Sequence, residues 1–331
     1  PHKLCPEAGQ NGRGRILPMS PEHQITIDLV IPVFNESGVV EQTHASLCKV
    51  IDSFSHKFTI YYVDDGSQDD TVKCLAGLAA KDKRIVLLEL SRNFGHQAAL
   101  TAGLDASTAD FVISMDADGQ HPPEMIQQMI ELFQQGYDII QAQRIEEGSF
   151  SFKKMTSAGF YALINRISGT YILQGAADFR GLSRQTVEAL KAMPEYHRFL
   201  RGMISWMGYR SVILPYHETT RVAGKSKYSF GKMFRLAMDA IFSFSLMPLY
   251  IGMTMGGILL CLAAVQIIYV LSFWLMGRSS ELVPGWSSLM GVMLVIGGML
   301  MILLGFIGVY IGYIFQEVKR RPVYLLKKEK K

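Results

Sequence analysis

IDLVIPVFNESG, residues 27–38, runs from a short apolar stretch straight into a polar turn that ends on glycine. The same passage recurs downstream. FTIYYVD (58–64) enters DGSQDD, RIVLLEL (84–90) enters SRNFGHQ, DFVISMD (110–116) enters ADGQHPP, and DIIQAQ (138–143) forms one more apolar run. Each run is short and rich in Val, Ile or aromatic residues, as a strand buried on both faces requires. Between the first two, Val40, Leu47, Val50, Ile51 and Phe54 fall on one helical face. Gln97–Ala106 and Pro123–Phe133 read as further helices, the second with proline in its first turn. The alternation predicts an α/β fold with a mainly parallel sheet flanked by helices. Ligands in such sheets bind beyond the carboxyl ends of the strands. Four of those ends carry polar or charged segments here: PVFNESG, VDDGSQDD, SRNFGHQ and DADGQHPP.

The 331 residues divide by composition rather than evenly. Residues 1–24 lack periodicity and read as a flexible leader, and 25–222 as one α/β domain with further helical patterns around 155–168, 183–192 and 198–207. Residues 223–246 place Phe230, Met233, Phe234, Ala237, Ile241 and Phe244 on one helical face, with Lys225, Lys227, Lys232 and Arg235 supplying charge. Directly before a span, that pattern suits a helix lying in a membrane interface. Met247–Met276 and Leu289–Phe315 carry no charged residue, and each exceeds the roughly 20 apolar residues that cross a bilayer. They predict a two-helix transmembrane hairpin over 247–315, followed by a basic tail over 316–331. Basic residues flank both spans while the linker between them is nearly neutral. The α/β domain and the C-terminus are therefore expected on the cytoplasmic face of the cell membrane. The net charge of +4 is concentrated beside the apolar stretches, which favours a membrane surface over nucleic acid as partner. The cysteines, Cys5, Cys48, Cys74 and Cys261, form no CxxC pair, so reduced thiols and no structural zinc are expected.

Asp116 and Asp118 directly follow a predicted strand, and carboxylates so spaced can share a hard cation with water and a diphosphate. A second acidic pair, Asp64 and Asp65, ends an earlier strand at the same edge. Such crowding is unfavourable unless a cation or hydrogen-bond donors offset it. The plainer readings are turn carboxylates, helix capping for Asn35 and Glu36, a strand-to-helix turn for Asn93 and Gly95, and a turn position for His121.

IPVFNES, VDDGSQDDT, SRNFGHQAAL and MDADGQHPPE, in this order and spacing, resemble the family 2 glycosyltransferases of GT-A fold. The likeness is to the dolichyl- and polyisoprenyl-phosphate sugar synthases, including bactoprenol glucosyltransferases. It continues through DFRGLSR (178–184), RFLRGMISWMGY (198–209) and RVAGKSKYSF (221–230) into the tail. The resemblance implies a membrane enzyme that moves a sugar, UDP-hexose being favoured, to polyprenyl phosphate with inversion and with Mg²⁺ or Mn²⁺. It assigns donor binding to Pro32, Asn35, Glu36, Asp64, Asp65, Asn93, Gly95 and Asp116. Metal binding falls to Asp116, Asp118 and Gln120, and catalysis to Asp118 and Asp178. Arg144, Arg201, Arg221, Ser226 and Lys227 are the expected partners of the acceptor phosphate, and a homo-oligomer is the expected assembly. A lipid phosphate is already largely anionic near neutrality, so Asp178 is expected either as a base or as a group that positions a basic residue. Gly119 replaces a frequent leucine and Val309 a frequent acidic residue, which predicts a looser metal loop and no acidic group in GVYIG. The rival readings are a processive polysaccharide synthase, which the missing QxxRW disfavours, and a non-catalytic scaffold or flippase component.

Overall fold

The computed structural model describes residues 24–145, 176–196, 198–217, 247–277 and 285–327. A seven-stranded sheet is ordered β3-β2-β1-β4-β6-β5-β7. Its strands are β1 Thr26–Val33, β2 Lys57–Asp64, β3 Ile85–Glu89, β4 Phe111–Ser114, β5 Ile139–Arg144, β6 Ala176–Ser183 and β7 Ser211–Tyr216. All described neighbours pair in parallel except those of β6, which runs against both β4 and β5. Helices α1 Val40–Ile51, α2 Thr71–Lys81, α3 His96–Ala106 and α4 Met125–Gln134 follow the first four strands. After β6 come α5 Arg184–Ala192 and α6 Leu200–Trp206.

The period-two alternation of β1 explains both layers. Ile27, Leu29, Ile31 and Val33 face α1, α2 and α4 through Val40, Leu47, Leu75 and Met129. Val30 turns the other way, onto Ala99 and Ala102 of α3, in the cluster that also holds Leu190 and Met203. Asp28, on that same register, is buried because Ser107 Oγ (2.6 Å) and the N–H groups of Thr108 and Ala109 all donate to Oδ2.

Two long helices complete the description, α7 over Met247–Leu275 and α8 over Trp286–Val318, and they pack against each other. Among the described residues one segment, Val295–Val318 within α8, is long and apolar enough to cross a membrane, where the sequence predicts two. Both helices expose large apolar side chains, among them Ile258, Leu262 and Trp274 on α7 and Leu300, Met301 and Leu304 on α8. Exposed apolar surface of this extent marks an interaction face. Beyond α8 the chain returns to the sheet. Ser91 donates to Leu325 O (2.8 Å), Lys327 N–H to Glu89 O (2.8 Å), and Tyr324 Oη to Asp105 (3.1 Å), so the tail lies along the free edge of β3. The predicted leader, the interface segment over 223–246 and the pattern around 155–168 lie outside the described residues.

Candidate active site at the carboxyl edge of the sheet

The turns after β1 and β2 are sewn together. Asn35 sits at φ +55°, a left-handed conformation that asparagine tolerates. Its N–H donates to Ser67 Oγ (2.9 Å) and its Oδ1 accepts from Gln68 N–H (2.8 Å). Glu36 N–H donates to Thr71 Oγ1 (2.9 Å) and Ser37 N–H to Asp69 (3.3 Å). The capping alternative for Asn35 therefore gives way to a brace between loops: α1 begins after Val39, which makes no side-chain cap. Pro32 pairs with Val63 just past the last residue that β4 pairs, so its missing N–H leaves no gap in that ladder.

Asp64 and Asp65 are both buried and both satisfied by backbone. Asp64 accepts from Gly66 N–H (3.1 Å) and Ser67 N–H (3.1 Å). Asp65 accepts from Phe94 N–H (2.7 Å) and Gly95 N–H (3.0 Å), which ties the β2 turn to the start of α3. Burial pushes the Asp65 carboxyl up, and these N–H groups only partly offset it. Gly66 is required here, because a Cβ would lie 2.6 Å from the Arg92 carbonyl carbon. Asn93 is exposed beside this junction.

Past β4, Asp116 is fixed by His121. The buried ring stacks on Phe179 (4.9 Å), its Nδ1 accepts the Asp116 N–H (2.9 Å), and its Nε2 faces the Asp116 carboxylate (3.8 Å). That arrangement sets the tautomer, with the proton on Nε2. Thr43 Oγ1 on α1 donates to Ala117 O (2.9 Å), and Asp118 accepts from Gln120 N–H (3.1 Å). Gly119 takes φ +76°, so glycine suits the turn that separates Asp118 from Gln120.

The antiparallel β6 brings in the next carboxylate. Ser114 pairs with Arg180, and continuing that register by two residues sets Asp178 abreast of Asp116. Ser114 Oγ donates to Asp178 O (2.7 Å) and holds the strand there. The Asp178 side chain is surrounded by donors: Arg180 Nη2, Arg201 Nε (3.2 Å) and Nη2 (3.1 Å), and His96 Nε2 (3.4 Å), with Gln97 Nε2 at 3.5 Å. His96 Nε2 also lies 3.5 Å from Asp116, so it bridges the two acids. Burial alone would raise the Asp178 pKa. The hydrogen bond from His96 and the charges of Arg201 and Arg180 override it and hold the carboxyl well below its usual range. For His96, partial burial lowers the pKa, but Asp178 and Asp116 outweigh it and the net shift is upward.

Of the predicted acceptor residues, Arg201 joins Asp178, and Arg144 ends β5 at the same edge of the sheet. Arg221, Ser226 and Lys227 lie outside the described residues. Sequence reading passed over Arg180, His96 and Gln97, although all three stand inside the segments DFRGLSR and SRNFGHQ that it singled out.

The donor set at Asp116 and Asp118 fits a hard divalent cation. Both are carboxylates on one loop, the hard oxygen donors that such an ion takes.

Residues 28–190 match the model of Glycosyl transferase family 2. The uncharacterized glycosyltransferase YkcC of Bacillus subtilis is 36% identical over 305 residues, covering 92% of this chain and 94% of that protein. A prophage bactoprenol glucosyl transferase homolog of Escherichia coli is 37% identical over 310 residues, covering 92% and 99%. The mannosyltransferase PcManGT of Pyrobaculum calidifontis, solved with GDP-Man and Mn²⁺, superposes with a TM-score of 0.46 at 16% identity, over 91% of this chain and 88% of that one.

Proposed function

The chain belongs to glycosyl transferase family 2, and from that premise we propose that it is a hexosyltransferase that moves a sugar from a nucleotide-sugar donor to polyprenyl phosphate. The observation that carries this reading is the cluster of Arg180 and Arg201 around Asp178, one strand away from Asp116 and Asp118. A guanidinium pair beside a diphosphate-binding edge suits a second phosphate on the acceptor. Relatives named bactoprenol glucosyl transferase, matched over most of both chains, support the same acceptor.

The favoured donor is a UDP-hexose, held through the braced turns that carry Asn35, Glu36, Asp64, Asp65 and Asn93. Asp116 and Asp118, with Gln120, would hold Mg²⁺ or Mn²⁺, which when bound neutralises charge on the departing nucleoside diphosphate. The acceptor oxygen is already anionic, so it needs aiming more than deprotonation. Asp178 suits that task. Its oxygens are occupied by N–H donors and its proton affinity is low, so it serves as the anchor that aims Arg201. Arg201 is the guanidinium that can reach a ligand, with 24% of its side chain exposed against 3% for Arg180. Attack from the face opposite the leaving group inverts the anomeric carbon. We place the Val295–Val318 segment of α8 across a membrane, with the catalytic domain on the cytoplasmic face beside the basic flanks. The tail bonds to β3 tie the end of α8 to the sheet, so the tail and the domain lie on the same face.

The test is a panel of labelled UDP- and GDP-sugars offered with polyprenyl phosphate to membranes containing the protein. One donor should label the lipid, and only when a divalent cation is present. Label in a long polymer instead would favour a processive synthase.

A further inference from the structure

At the opposite edge of the sheet, where Asp82 and Arg84 lead into β3, a second group of side chains meets outside the transfer site. His44 and Cys48 stand one turn apart on α1, and Asp82 follows the last turn of α2. Three of their atoms form a closed triangle. His44 Nε2 is 3.4 Å from Cys48 Sγ, Cys48 Sγ is 3.7 Å from Asp82 Oδ2, and His44 Nε2 is 3.7 Å from the same Oδ2.

The geometry points to a Zn²⁺ site formed by His44, Cys48 and Asp82. Zinc bonds of about 2.0–2.3 Å at tetrahedral angles set neighbouring donors about 3.3–3.6 Å apart. The observed triangle is within a few tenths of an ångström of one face of that tetrahedron. The nitrogen, sulfur and oxygen donors suit a borderline-soft ion and leave the fourth position to water. Supporting bonds are in place as well. Tyr62 Oη lies 3.3 Å from His44 Nδ1 and turns Nε2 toward the triangle. Arg84 holds the other oxygen of Asp82 through its N–H (2.9 Å) and through Nε (3.0 Å), which also lies 3.1 Å from Oδ2, and Asp52 takes its Nη1 (2.6 Å). Groups that orient ligands in this way are a regular part of zinc sites. Arg84 Nη2 stands 2.8 Å from Asp82 Oδ2 and 3.5 Å from Cys48 Sγ. This guanidinium end supplies positive charge to two of the three donors and must move aside as the ion enters. The Cys48 thiol gives up its proton to solvent on binding. The ion would fasten α1 to the end of α2 through side chains that the transfer site does not use.

The experiment uses the full chain in detergent, stripped of metal and held in excess Mg²⁺ so that the carboxyl edge is saturated. Adding Co²⁺ should produce a thiolate-to-cobalt charge-transfer band that Zn²⁺ abolishes. Cys48→Ser should remove the band, and His44→Gln should weaken Co²⁺ affinity about 10–100-fold. Cys74→Ser and Asp118→Ala should retain it. Independently of any variant, Zn²⁺ should slow alkylation of Cys48 in the wild-type protein and leave Cys74 unaffected. No band in the folded protein, a band that survives Cys48→Ser, or Cys48 alkylation unchanged by Zn²⁺ would overturn the site. None of these readouts depends on sugar transfer.

Discussion

The two edges of the sheet carry the same chemical groups in different balance. At the carboxyl edge, Asp178 meets Arg180, Arg201 and His96, with Asp116 beyond. At the amino edge, Asp82 and Asp52 meet Arg84, with His44 and Cys48 alongside. The imidazoles respond in opposite directions. His96 is raised because two carboxylates outweigh its partial burial, whereas for His44 burial prevails over the pull of Asp82 and the pKa falls. At the carboxyl edge the guanidiniums gather on Asp178, which leaves Asp116 and Asp118 as oxygen donors for a hard cation. At the amino edge the imidazole is held toward neutrality, and with the thiol it offers ligands for a softer ion.

The sharpest way to break this contrast is to remove a carboxylate on each side. Asp118→Ala should lower transfer by about a thousandfold or more, since withdrawing a cation from a developing diphosphate costs roughly 4 kcal/mol or more. Chelation of the wild-type protein should do the same, and Cys48→Ser should leave transfer unchanged. Burial sets the next comparison. Arg180→Met leaves Asp178 buried with a partner missing and should destabilise the fold by about 3–5 kcal/mol in chemical denaturation. Arg84→Met, at the more open edge, should cost about 1 kcal/mol.

Arg201→Ala should reduce kcat/KM about ten- to a hundredfold, equivalent to about 1.5–3 kcal/mol, mainly through the lipid, while donor binding by calorimetry stays constant. Lysine should restore only part of this, because it lacks the planar fork. Arg221→Ala should behave like Arg201→Ala if RVAGKSKY also faces the lipid phosphate. Asp178→Asn sharpens the distinction between base and anchor. A carboxyl held well below its usual pKa stays anionic across the assay range, so the loss should be the same at pH 6 and pH 9. A loss that shrinks toward low pH, where a base would be protonated in the wild type as well, would make Asp178 a base. The smallest effect belongs to the tail. Tyr324→Phe removes one bond to Asp105 and should cost about 1 kcal/mol or less.

The parallel half of the sheet was legible because its strands are apolar runs, and each run ends in the turn that carries chemistry. β6 was not. AADFRGLS buries Asp178 and Arg180 against each other, and a charged pair that satisfies itself leaves no apolar pattern to detect. For the same reason His96, Gln97 and Arg180 escaped notice, although the segments around them were quoted. Asn35 could be read as a cap because asparagine caps helices and bridges loops with the same amide. Only the position of Gln68 separates the two. The zinc triangle was invisible for another reason: Asp82 lies 34 residues from Cys48, and no ligand spacing links them.

The identity of the nucleophile can be settled with purified protein, labelled donor and two lipids that differ only in the phosphate. Polyprenyl phosphate should accept the sugar in a divalent-dependent reaction and yield a product whose sugar is released by mild acid, while polyprenol should remain unlabelled. Equal labelling of polyprenol would contradict the acceptor, and transfer that continues at full rate in excess chelator would contradict the role given to Asp116 and Asp118.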